Sequence, residues 1–121
     1  MKRDMELVRK IALALEASPS GFAPRVLNID GYSEEVVGYH ALIMMEAGLL
    51  EGVDTTPWGS KSPYAAPTRL TWAGHEFVEE ARDDTRWNRA MALVKDKGGS
   101  ITIDLLTQLL ASLMKNTFGL L

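Results

Sequence analysis

Apolar residues recur at helical spacing in the first part of the chain: Val8, Ile11, Ala12 and Leu15 share one side between about Asp4 and Ala17. Ser18-Pro19-Ser20-Gly21 breaks the pattern, so a first helix ends there. "RVLNIDGY", residues 25 to 32, is β-branched at Val26 and Ile29 and closes on Asp30-Gly31, which fits a brief strand or an extended connector. Ser33 followed by Glu34 and Glu35 has the pattern of an N-cap with carboxylates facing the positive helix end, and Gly48 has that of a C-terminal glycine. A second helix over about 34–47 follows. "LLEGVD" and "PTRLTW" read as strands flanking the Pro-, Gly- and Ser-rich "TTPWGSKSPYAA", so together they form a hairpin with a long tip. Thr71 caps a third helix reaching about Arg82. A fourth covers about 86–95, between Asp83-Asp84-Thr85 and Gly98-Gly99, and a fifth about 103–114.

Helix, short extended piece, helix, long-tipped hairpin, helix is the order of a winged-helix domain with the hairpin as its wing. The expected fold is therefore α+β and mainly helical: a winged-helix-like core over 4–82 and a C-terminal extension of two additional helices over 83–121. A chain of 121 residues is the size of a single domain, 1–121, with one ordinary core. Val8, Ile11, Leu15, Val37, Ile43, Met44, Leu49, Leu70 and Phe77 are the expected core residues.

Three segments, "MKRDMELVRKI", "EAGLLEG" and above all "RLTWAGHEFVEEARDDTRWN", resemble the bacterial and phage family called domain of unknown function 2513. The similarity covers nearly the whole chain. It implies a small winged-helix-like protein of bacterial genomes and prophages, and it carries over a fold but no catalytic residues.

Composition narrows the classes. Hydrophobic residues at 46% and charged residues at 24% are the values of a soluble globular protein. Zero cysteines exclude disulfides, thiolate zinc sites and cysteine nucleophiles, and favour a reducing compartment, the cytoplasm. Glu6, Arg9, Lys10 and Glu16 interrupt the N-terminal apolar run, so it reads as a helix rather than a signal peptide. No apolar stretch approaches the roughly 20 residues that span a bilayer, which excludes an integral membrane protein. The net charge is −3, and residues 26–60 hold no Lys or Arg but six acids: Asp30, Glu34, Glu35, Glu46, Glu51 and Asp54. Such a stretch repels phosphate.

Catalysis finds little footing. His75-Glu76 would open a zinc-binding helix only with a second His at position 79, which is Glu79. Trp72 and His75, three apart on a helix, are expected to stack on each other. There is no nucleophile elbow, phosphate-cradling loop or acidic metal motif, so no catalytic residue, cofactor or metal is expected.

Binding surfaces are better represented. At about 100° per residue, Val36, Val37, His40, Ile43, Met44 and Ala47 share one arc of the second helix, which makes His40 a hydrogen-bonded core residue. The opposite arc carries Glu34, Glu35, Gly38, Tyr39, Leu42, Met45 and Glu46, with none of the Arg, Asn or Gln used to read base edges. This arc is either a protein-facing patch or a surface that another part of the chain covers. Lys61 with Trp58 and Tyr64 at the hairpin tip, and Arg82, Arg86 and Arg89 beyond it, are the nucleic-acid candidates. Acids interleave with those arginines, though, and the tip aromatics can equally fold back. In the last helix Leu105, Leu106, Leu109, Leu110 and Leu113 lie on an arc of about 140°, a face for a homodimer or for packing within the domain.

These observations lead to the expectation of a non-enzymatic macromolecule-binding protein, a protein-interaction module with an unknown protein partner. The alternative is a winged-helix DNA-binding regulator. A phage or prophage accessory role, including interference with host defence, rests on the family resemblance alone.

Overall fold

The computed structural model describes residues 1–117. Among them are five helices and one two-stranded antiparallel sheet, an α+β arrangement that is mainly helical. The chain divides into two compact units, Met1–Val78 and Glu79–Leu121.

In the first unit, helix α1 (Met5–Glu16) starts where Asp4 turns its carboxylate onto the free amides of Glu6 and Leu7. Leu7, Val8, Ile11, Ala12 and Leu15 form its buried stripe. The residues after it, including "RVLNIDGY", form turns and bends and no strand, so the extended-connector reading holds and the strand reading does not. One backbone bond, from the Ala23 N–H to the Thr68 carbonyl at 2.7 Å, ties this connector to the sheet; a second bond would be needed to begin a ladder.

Helix α2 (Glu34–Glu46) is capped by the Ser33 hydroxyl, which accepts the Val36 N–H. It ends at Gly48, whose φ of +79° a residue with a side chain adopts only under strain. The hairpin pairs β1 (Leu50–Asp54) with β2 (Ala65–Leu70), which begins two residues before the expected strand. Trp72, read as the end of that strand, instead opens α3 (Trp72–Ala81). The cross-strand pair Leu50 and Leu70 is buried, while Glu51 and Arg69 form an ion pair at 2.8 Å at the next position. The register slips between Glu51 and Gly52, leaving Thr68 as the extra residue.

Of the expected core, Val8, Ile11, Leu15, Val37, Met44, Leu49, Leu70 and Phe77 are buried, and Ile43 is only partly so. The buried stripe of α2 instead runs Val37, Gly38, His40, Ala41 and Met44, with Ala47 exposed. The reason is steric. The small residues Gly38 and Ala41 admit the hairpin on their side, so contact rather than side-chain hydrophobicity sets the stripe.

In the second unit, α4 (Asp84–Asp96), capped by Asp83, packs against α5 (Ile103–Thr117). Trp87 and Ala90 of α4 and Leu106, Leu110 and Leu113 of α5 are buried. No helix among the described residues is long and apolar enough to cross a membrane.

Candidate functional site

Asp4 and His40, thirty-six positions apart, meet in a polar cluster of the first unit. The Asp4 backbone N–H donates to His40 Nε2 at 2.9 Å, and His40 Nδ1 lies 2.9 Å from the Val36 carbonyl. An amide only donates and a carbonyl only accepts, so these partners hold the ring as its Nδ1–H tautomer. The second oxygen of Asp4 accepts the Tyr32 hydroxyl at 3.0 Å, and Lys10 sits 5.5 Å from the Tyr32 ring centre. Partial loss of solvent raises the Tyr32 hydroxyl above its ordinary pKa, and the hydrogen bond and charge of Asp4 add to the effect. His40 is fully buried with both ring nitrogens engaged. The cluster therefore ties α1, the connector and α2 together. The sequence marks His40 as a core residue but gives no sign of its partners, which are distant along the chain.

The "RLTWAGHEF" segment has a similar role. The Thr71 hydroxyl donates to the Gly48 carbonyl and accepts the Gly74 N–H at 3.1 Å, while the Thr71 N–H donates to the Leu49 carbonyl at 3.1 Å. A Cβ on Gly74 would lie 2.0 Å from the Leu49 oxygen, so only glycine lets α3 approach this closely. "EAGLLEG" and "RLTWAG" thus meet in space, each satisfying the other's backbone. His75 stays exposed in the first turn of α3, and Trp72 pairs its indole N–H with Glu76 instead of stacking on His75, because an i,i+4 carboxylate is within reach of the donor. Among the described residues no group of three His, Asp or Glu side chains could hold a metal ion.

The outward side of α2 is partly covered. Tyr64 lies against Gly38 so closely that a Cβ there would come within 2.2 Å of its ring, and the Ser62 hydroxyl donates to Glu35. The base of the loop tip therefore folds back onto the helix, and Gly38 is buried. Thr56 ties the same loop to Asp54, and its hydroxyl and N–H hold that carboxyl below the usual carboxylate range. Glu34, Glu35 and Glu46 remain exposed, with Tyr39, Leu42 and Met45 partly buried. Trp58 and, three positions later, Lys61 are both exposed. Beside α2, between the connector and the start of β2, lies a groove of about 320 Å³. It did not figure among the sequence expectations, because its walls come from three separated segments.

The chain matches the family described as "Hypothetical protein (DUF2513)" over residues 2–100. It belongs to that family. It is also 34% identical over 116 residues to an "Uncharacterized protein" of Haemophilus influenzae, a match covering 89% of this chain and 91% of that one. No solved structure matches the chain. The three segments that carried the resemblance lie within the matched residues, and two of them are the mutually bonded junctions just described.

Helix α5 lies beyond the DUF2513 match. Of its five leucines, Leu106, Leu110 and Leu113 are buried, Leu109 is partly buried and Leu105 is 55% exposed. Three of the five leucines put forward for a dimer are thus covered within the single chain, while Leu105 and part of Leu109 remain accessible. Arg82 is paired with Glu79 at 2.9 Å, Arg86 has a buried Nε with no partner, and Arg89 and Lys61 are exposed.

Proposed function

We propose that this DUF2513 protein is a non-enzymatic binding module with a protein partner, built on a winged-helix-like frame in which α2 occupies the place of a recognition helix and the β1–β2 hairpin that of the wing. The observation that carries this reading is the outward side of α2. It presents three exposed glutamates and partly buried Tyr39, Leu42 and Met45, with no cation, and the loop base rests on it through Tyr64 and Ser62. Phosphate would be repelled there, whereas an aromatic, an aliphatic and a thioether rimmed by acids suit a protein contact. A place among bacterial or prophage accessory proteins, including ones that interfere with host defence, belongs to the same proposal and rests on family membership.

The second reading, a DNA-binding regulator, draws support from exposed Trp58 and Lys61 in the hairpin tip and from exposed Arg89. Fluorescence anisotropy with mixed-sequence duplexes across a salt series separates the two. The expected result is no binding at physiological salt. Micromolar binding lost on Lys61→Glu and Arg89→Glu would establish the second reading instead. Affinity purification from the native host, compared between the wild-type chain and Leu42→Arg, then shows whether a captured protein depends on α2.

A further inference from the structure

The β1–β2 hairpin divides at its bulge into an anchored half and an arm. On the inner side the Leu50–Leu70 pair is buried and Glu51 is ion-paired with Arg69 at 2.8 Å. Thr68, at the register slip, donates its hydroxyl to the Glu51 carbonyl at 3.0 Å and accepts the Ala23 N–H on its own carbonyl. Beyond the slip lie residues 52–67. There the extra residue interrupts the ladder and Pro67 brings no N–H to it, the conditions under which a strand pair bends. The tip of this arm satisfies its own polar groups. The Thr55 N–H donates to the Tyr64 carbonyl at 3.1 Å, the Tyr64 N–H to the Thr56 hydroxyl at 3.0 Å, and the Ser60 hydroxyl to the Ser62 carbonyl at 2.8 Å. Movement of the arm as a unit breaks none of these bonds.

The hold of the arm on α2 is slight. Among the described residues one hydrogen bond joins 52–67 to this helix, from the Ser62 hydroxyl to the exposed carboxylate of Glu35. The other contact is the half-buried Tyr64 ring, seated where a Cβ on Gly38 would come within 2.2 Å of it, with Ala65 buried next along the strand. A solvated hydrogen bond contributes little net stability, and segments with few buried contacts are the first to open locally. We propose that residues 52–67 form a hinged arm that swings about the bulge, closed by Tyr64 on Gly38 and latched by Ser62 on Glu35, and that its opening uncovers the middle of α2 on its outward side. This goes beyond the protein-binding reading, because the arm sets how much of that side is open whatever binds there.

Nuclear magnetic resonance of the full chain reads the arm through the Gly38 α-protons, which the Tyr64 ring current displaces while the ring is seated. Tyr64→Ala sets the signal of an uncovered Gly38. Ser62→Asp places a carboxylate against Glu35, and the two like charges repel. The Gly38 signal of Ser62→Asp is expected to move most of the way to its position in Tyr64→Ala. Adding Glu35→Lys turns the repulsion into an ion pair and should return the signal to its wild-type place. In the wild type, relaxation dispersion on the microsecond-to-millisecond scale is expected across 52–67 and at Gly38, and not at Leu50 or Leu70 on the anchored side. The proposal is overturned if Ser62→Asp leaves the Gly38 signal in place, if Glu35→Lys fails to restore it, or if the wild type shows no such exchange. Exchange of equal size at Leu50 and Leu70 would also overturn it, since the whole sheet would then be loosening rather than an arm turning on the bulge.

Discussion

Asp4 shows how much one residue contributes when every polar group on it has a partner. It caps α1 through one carboxylate oxygen, accepts Tyr32 on the other and donates its N–H to His40. Tyr32→Phe keeps the ring and Lys10 contact and removes only the hydroxyl, so a loss of about 1 kcal/mol in urea unfolding is expected. The pH dependence has a definite sign. The folded-state pKa of Tyr32 is raised, so the stability it contributes is fully present below the ordinary tyrosine value of about 10 and is lost as pH rises through the folded value. Urea midpoints measured upward from about pH 9 should therefore fall more steeply for the wild type than for Tyr32→Phe. Parallel profiles would show that the Asp4 contact does not persist in solution.

At the scale of an element, α2 carries a glycine in its middle, which costs a helix roughly 1 kcal/mol relative to alanine. Gly38 is retained at a place where a Cβ would meet the Tyr64 ring at 2.2 Å. Contact and propensity oppose each other, and their balance can be measured. Gly38→Ala in the wild-type chain is expected to destabilise by dislodging Tyr64. In a Tyr64→Ala background the same change should stabilise by about 0.5–1 kcal/mol, because only helix propensity remains. A stabilising Gly38→Ala in both backgrounds would mean that Tyr64 does not rest on the helix.

For the whole molecule, the question is whether apolar surface is spent internally or kept for a second copy. Leu110 is fully buried and Leu105 is 55% exposed on the same helix. Leu110→Asp buries a charge and is expected to cost several kcal/mol, unfolding α4 and α5, whereas Leu105→Asp should change stability by less than about 0.5 kcal/mol. Light scattering after size exclusion should give Leu105→Asp and the wild type the same mass. A wild-type dimer that Leu105→Asp reduces to the 13.3 kDa chain would return the interface to α5.

Five helices and a long-tipped hairpin were legible because caps, glycines and 3.6-residue spacing act within a few positions of one another, as at Ser33, Gly48 and Asp83. The charge character of residues 26–60, and hence the repulsion of phosphate, also follows from composition alone. His40 could be assigned to the core from its arc. Its bond to Asp4, the seat of Tyr64 on Gly38 and the groove between connector, α2 and β2 could not, because each joins positions far apart in the chain whose approach depends on how the elements pack. The same holds for α5. Periodicity shows that a helix has a leucine face, but only packing decides whether that face is already covered, and here Leu106, Leu110 and Leu113 lie inside the folded chain.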